Sequence, residues 1–168
     1  DPNRVVGIFF PKDLGDAMAG RVRFLDESHS VIFTDKGIQF FSTRVETSPE
    51  LVSQIPIEEN IRSITYAQDK VGIVTDNVEG GDPYKLRIYD REGSPVFEKT
   101  FNYQYTGFDI DGDLVLLYND SSCKVYNMTG TEKYNGTFDF TVSKVSAGRF
   151  PGTLLVMGPQ KMTEIKLQ

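Results

Sequence analysis

Three carboxylates at alternate positions, Asp109, Asp111 and Asp113, form the cluster in the chain that most invites a metal ion. Hard cations such as calcium take several oxygen ligands, and alternate acidic residues can converge on one ion. An EF-hand loop needs a differently placed glycine and a bidentate glutamate at its end. Here Gly112 interrupts the acidic run, and no glutamate follows at the required distance. Asp–Gly between two apolar stretches is also a strong hairpin signal. The turn reading outweighs the metal reading, so the expectation is no metal centre, with these three aspartates as the residues to watch.

The other chemistry-bearing residues are sparse. His29 is the one histidine, and it sits in the polar stretch Asp26–Ser30, where a turn role is expected. Cys123 is the one cysteine, so no internal disulfide forms, and its place among strand-type residues reads as a small buried hydrophobe. Zinc sites of the usual type need several His or Cys ligands, which this chain does not supply. Asn119-Asp-Ser121, Asn127-Met-Thr129 and Asn135-Gly-Thr137 match the glycosylation acceptor pattern but fall at expected turns, where Asn, Ser and Thr serve the backbone. Tyr84, Tyr89, Tyr103, Tyr105, Tyr118, Tyr126 and Tyr134 crowd the middle of the chain. They could stack a sugar or peptide, but strands select aromatics for packing anyway. Acidic pairs of a glycosidase come from separate strands and have no spacing signature. No catalytic and no cofactor-binding residue is assigned.

The elements that position these residues recur. Four apolar, β-branched runs, Val31–Thr34, Val71–Thr75, Leu114–Tyr118 and Thr153–Met157, each end at a turn marker. From Asp35 to Asp76, Asn119 and Pro159 the markers step by 41, 43 and 40 residues. Each run is preceded by an alternating segment (Arg21–Leu25, Ile61–Tyr66, Tyr105–Ile110, Val142–Ser146). Each is followed by another (Gly37–Phe41, Tyr84–Tyr89, Lys124–Tyr126, Met162–Leu167). Alternation is the signature of a strand with one face to solvent, and an unbroken apolar run that of a strand buried on both. Asp90–Gly93 and Asn127–Gly130 are related turns leading to fourth strands at Pro95–Phe101 and Glu132–Phe138.

The reading is therefore all-β, with about four four-stranded antiparallel meanders of the β-propeller blade type in one domain, 1–168. The repeats run approximately 11–56, 57–101, 102–140 and 141–168, and Arg4–Phe10 is an orphan outer strand. Helix is confined to single turns at Leu14–Ala19 and from Ser48-Pro49-Glu50-Leu51, with Ser48 as cap.

Composition sets limits. A hydrophobic share of 39% against 25% charged is an ordinary globular balance, which excludes a disordered chain. The formal charge of −6 repels phosphate, which argues against nucleic acid and anionic membrane as partners. No apolar run approaches the roughly 18 residues of a membrane span. A chain opening at Asp1-Pro2-Asn3 reads as a processed form or a piece of a longer protein.

Val6–Asp13, Ala19–Phe24, Phe33–Ile38 with Phe41–Val45, Ser48–Glu50 and the terminal Thr163–Leu167 resemble, along the whole chain, a family of unknown function from Gram-positive bacteria. Its members look like membrane-anchored, extracytoplasmic β-propellers. The resemblance implies that this chain is the C-terminal half of a larger propeller, with a transmembrane helix and further blades upstream. It implies an extracytoplasmic location and contact with the membrane only through that anchor. It carries no site residues. Propellers that bind a quinone cofactor carry Trp-containing motifs, and with no Trp this chain is unlike them, so no cofactor is expected.

The function expected is a non-catalytic interaction or scaffold module for a protein or cell-envelope partner. The alternative is a glycan-binding or glycan-hydrolysing enzyme using blade-loop carboxylates. A half-ring would also bare an apolar face on its first and last blades, which predicts a homodimer; the competing outcome is a small closed ring in which Arg4–Phe10 pairs with Met162–Leu167 as the missing outer strand.

Overall fold

The computed structural model describes residues 19–42, 49–67 and 69–168. They form fifteen strands in four antiparallel sheets, each contiguous in sequence. The first sheet is β1 (Ala19–Phe24), β2 (His29–Thr34), β3 (Gly37–Ser42) and β4 (Glu50–Pro56). The second is β5 (Ile61–Tyr66), β6 (Lys70–Asp76), β7 (Tyr84–Asp90) and β8 (Pro95–Phe101). The third is β9 (Gly107–Asp111), β10 (Leu114–Tyr118), β11 (Ser122–Asn127) and β12 (Glu132–Thr137). The fourth has three strands, β13 (Lys144–Ala147), β14 (Thr153–Met157) and β15 (Met162–Lys166). Strand order follows chain order in every sheet, so each is a meander.

The unbroken apolar runs are the second strands, and their burial explains their sequence. In β6, Val71 and Ile73 pack against Val31, Phe33, Ile38 and Phe40 of the first sheet, while Val74 joins the core shared with the third. In β10, Val115 and Leu117 face the second sheet and Leu116 faces the fourth. A strand with a sheet on either side has no solvent face, so both sets of alternate positions must be apolar. Each fully buried Val, Leu or Ile contributes roughly 1.5–3 kcal/mol through removal from water.

The turns into the fourth strands are built alike. Asp90 Oδ1 accepts the N–H of Glu92 and of Ser94, and Asn127 Oδ1 accepts the N–H of Thr129 and of Thr131. Gly93 and Gly130 follow with φ of 85° and 79°, a conformation that glycine adopts without a steric cost. The register shifts where each of these outer pairings begins, between Ile88 and Tyr89 and between Val125 and Tyr126.

Three expectations change. Glu50 and Leu51 do not start a helix; they open β4, which lies along the edge of β3 with Ile38 opposite Ile55. The third strands of the first two sheets are not half-solvated: Gln39, Lys85 and Arg87 alternate with apolar residues yet all are buried, whereas β15 keeps an exposed alternate face. The far face of the first sheet is not bare either, since Ser30, Ile32, Gln39 and Phe41 are buried within the chain. The expected strand at Arg4–Phe10, the turn at Leu14 and the cap at Ser48 lie outside the described residues. No helix among the described residues is long and apolar enough to cross a membrane.

Candidate functional site

Between the first and second sheets lies a cleft of about 500 Å³ lined by Pro56, Glu58, Glu59, Val78 and Arg87. The end of β4 and the connector to β5 bring Pro56, Glu58 and Glu59, the β6–β7 loop brings Val78, and β7 brings Arg87. Arg87 shares its sheet face with Lys85 and Tyr89, because alternate residues of a strand point the same way. Tyr89 packs into the core shared with the first sheet, which directs the two cations into the gap between sheets.

Both cations are 8% exposed, and each is matched. Arg87 Nη2 pairs with Glu59, and Arg87 Nε lies 3.5 Å from Glu98 Oε2. Lys85 Nζ lies 2.9 Å from Glu98 Oε1 and 3.5 Å from Glu79 Oε2. Burial alone would raise the Glu59 pKa. Its own N–H, the Arg87 guanidinium and the Glu58 N–H outweigh that and hold it below the usual carboxylate range. The hydrogen bond to Glu98 raises Lys85 above the usual ammonium range against the pull of burial. A glycoside hydrolase needs a carboxyl shifted upward to act as general acid. Glu59 is shifted the other way and stays ionised.

His29 is the first residue of β2 and is buried, rather than a solvated turn residue. Its Nδ1 lies 2.9 Å from both oxygens of Asp26 and 3.1 Å from Ser28 Oγ. A nucleophilic relay needs serine and carboxylate on opposite imidazole nitrogens. Here both meet the same one, and Nε2 faces Glu92 at 3.8 Å. The group is a tie between sheets, completed by Arg91 Nη1 of the β7–β8 turn at 3.1 Å from Asp26 Oδ2.

Burial would raise Asp26, but the Ser28 N–H and the His29 ring outweigh it, bringing its pKa from 3.8 to about 2. A lowered folded-state pKa stabilises above the unfolded value, and that stabilisation fades as pH falls through the folded one. Asp26→Asn is therefore expected to cost on the order of 2 kcal/mol near pH 6. The difference from wild type should close between about pH 4 and pH 2. Urea melts across that range check this, and a difference that persists at pH 2 contradicts it.

The three aspartates do not converge. Asp109 Oδ1 takes hydrogen bonds from Ile110 N–H and from Thr65 Oγ1 in the second sheet. Asp111 Oδ2 accepts the Ala147 N–H of the fourth at 2.8 Å. Asp111 and Asp113 border a smaller cleft of about 390 Å³ that Phe150 also lines. Among the described residues no group of three His, Cys, Asp or Glu is placed to hold a metal ion.

Asn119 and Asn127 are occupied in turns, each accepting backbone N–H groups two or more residues ahead. Cys123 is buried, and burial pushes its thiol up to about 12, so it stays protonated and unreactive. The tyrosines pack between sheets: Tyr84, Phe101, Tyr105 and Phe108 form one ring-contact chain, and Tyr105 Oη bonds Ser63 Oγ at 2.6 Å.

Comparison with known proteins follows the same lines. A family model described as a family of unknown function, DUF5711, matches residues 1–167. No curated protein matches the chain in sequence. Among solved structures, a eukaryotic initiation factor is similar with a TM-score of 0.61 at 12% identity, over 90% of this chain and 42% of that one. Kluyveromyces lactis Hsv2 is similar at 0.51 and 10% identity, over 91% and 47%. A functionally unknown protein from Desulfotomaculum acetoxidans DSM 771 is similar at 0.50 and 13% identity, over 89% and 55%. These propeller-like neighbours share the fold, and the chain spans about half the length of each.

Proposed function

The chain belongs to the DUF5711 family of unknown function, and from that premise we propose that it is a non-catalytic binding or scaffold arc of a larger β-propeller. In this reading the parent protein works outside the cell membrane, is anchored to it by a helix elsewhere in its sequence, and meets a protein or another envelope component. The observation that carries the reading is what the chemistry-bearing side chains are engaged in. Asp26, His29, Asp109, Asp111, Asn119 and Asn127 hold turns or join neighbouring sheets. The open cleft holds the Arg87–Glu59 ion pair, with the Glu59 carboxyl held below its usual range, which suits recognition better than proton transfer.

The arc itself has support from the fourth sheet. It has three strands where the others have four, and no described strand pairs with the far edge of β15. Met162 of β15 is 60% exposed. A further strand and sheet of the same ring would cover both. The test of the functional class is a panel of cell-wall glycans and peptides incubated with the purified protein and followed by mass spectrometry. No turnover is expected. Saturable turnover abolished by a single Asp or Glu substitution would establish an enzyme instead.

A further inference from the structure

We propose that two copies of this chain close one ring, with Arg4–Phe10 of each adding to the far edge of β15 in the other as the fourth strand of that sheet. This rests on the arc reading above and names the partner that completes the arc.

The strands count out with an offset of one. Each described fourth strand leads through a short connector (57–60, 102–106 and 138–143) into the first strand of the next sheet: β4 into β5, β8 into β9, β12 into β13. Arg4–Phe10, outside the described residues, holds the same place ahead of β1 in the sequence. By position it is the outer strand of whichever sheet precedes the first. In a ring made of this chain that is a fourth sheet, the one with three strands.

The edge of β15 is built to take it. Leu167 N–H donates to the Gly152 carbonyl at 2.8 Å, on the β14 side, and Gln168 N–H to the Lys133 carbonyl of β12 at 3.4 Å, on the other. Successive residues of a strand turn their backbone groups to opposite sides. Glu164 and Lys166 therefore turn theirs outward, as Gln168 does, and no described strand pairs with them. Beside them a cleft of about 290 Å³ lies between Lys133, Tyr134 and Asn135 of β12 and Lys166 with Gln168. The third sheet shows what takes this place. There β12 pairs with β11, and the turn leading into it reaches β8, where the Gly130 carbonyl accepts Lys99 Nζ at 3.2 Å.

The partner is a second copy because the chain does not close on itself. None of its three cores joins the fourth sheet to the first among the described residues. Both ends keep exposed apolar side chains. Val22, Phe24 and Leu51 sit opposite Ile32, Ser30 and Phe41, on the face of the first sheet turned away from the second. Met162 sits opposite Met157 on the face of the fourth sheet turned away from the third. The chain spans about half of each propeller-like neighbour, so two copies carry the strands of one ring, and a two-fold axis makes the two joints identical.

Light scattering of the full chain at micromolar concentration is expected to give twice the chain mass. Lys166→Pro should halve it with an unchanged far-UV spectrum, since it removes an N–H that faces the open edge. Val6→Pro with Gly7→Pro should do the same from the other side of the joint, because one of two adjacent N–H groups must face β15. Mixed at raised concentration, the two monomeric variants should combine through the one joint left intact, which pairing within a single chain does not allow. A monomeric wild type, a dimer that survives both variants, or variants that fail to combine would overturn the proposal. Each of these leaves the non-catalytic reading standing, since only turnover removes that.

Discussion

Gly37→Ala is expected to lower stability by about 3 kcal/mol or more, well beyond the effect of an ordinary surface change. Gly37 opens β3 at φ 141°, a backbone conformation that L side chains rarely adopt. An added Cβ would collide with the Ile55 carbonyl oxygen and come within 2.9 Å of Pro56 Cα and Ile57 N. All three are backbone atoms, so no side-chain rotation relieves the clash. β4 would have to move away from β3, giving up the Gly37–Pro56 and Ile38–Ile55 pairings and the Ile57 N–H to Lys36 carbonyl bond. Gly80 separates the two causes: its φ is 88°, but a Cβ there meets nothing within 4 Å. Gly80→Ala therefore carries only the conformational cost, about 1–2 kcal/mol. Paired urea melts check the ordering, and a Gly37→Ala variant no less stable than Gly80→Ala would contradict it.

The meander repeat is legible in the sequence because it has a direct physical cause. Val71–Thr75 and Leu114–Tyr118 are unbroken apolar runs since a sheet packs on each side of them, and their turn markers recur because the sheets are equal in size. β4 is illegible for a local reason. Ser48-Pro49-Glu50 carries the capping and first-turn chemistry of a helix, while Leu51 to Ile55 has no strong strand signature. The open edge of β3 decides the matter, because its unpaired N–H and C=O groups need a partner strand. That is tertiary information, and it outweighs a weak local preference.

The candidate site was missed for a related reason. Lys85 and Arg87 alternate with Leu86 and Ile88, which is the pattern of a strand with one wet face. Stacking of the first sheet turns that face into an interior wall, and the cations stay there because carboxylates meet them. One of these was within reach of sequence reasoning: Arg87 lies opposite Glu98 across the β7–β8 pair, and opposite charges across a hairpin are a recognised signal. Glu59 was not, because it arrives from the β4–β5 connector and depends on how two sheets stack. His29 was misplaced by one element. The polar residues around it do form a turn, but Asp26 draws the imidazole inward to the start of β2. Asp109 and Asp111 show the opposite case: side chains that look like a ligand set bond to different sheets.

Arg87→Met is expected to cost about 3–5 kcal/mol at pH 7, which would make it among the most damaging single changes outside the apolar core. Methionine keeps the volume and the apolar stem, so the loss comes from charge. Glu59 would remain largely buried with only its backbone N–H donors, and Glu98 would keep only Lys85. Stranding a buried carboxylate costs more than the intact pair contributes, because its desolvation is no longer offset. Two consequences distinguish this cause from a packing defect. First, Glu59→Gln placed on top of Arg87→Met should recover a large part of the loss, since neutralising the stranded group removes the penalty. Glu59→Gln alone should destabilise by leaving Arg87 without its partner, so the double-mutant cycle closes with a large coupling energy. Second, the loss should shrink as pH falls. In the wild type Glu59 titrates below its usual range, so its stabilisation is present above the unfolded pKa and fades under acid. In Arg87→Met the guanidinium that helps lower it is gone, so as pH falls protonation relieves the variant before it harms the wild type. Urea melts of the four proteins at pH 7 and pH 4 measure both effects. A loss at Arg87→Met that is independent of pH and unmoved by Glu59→Gln would mean that the pair contributes shape alone, and the electrostatic account of the cleft would fail with it.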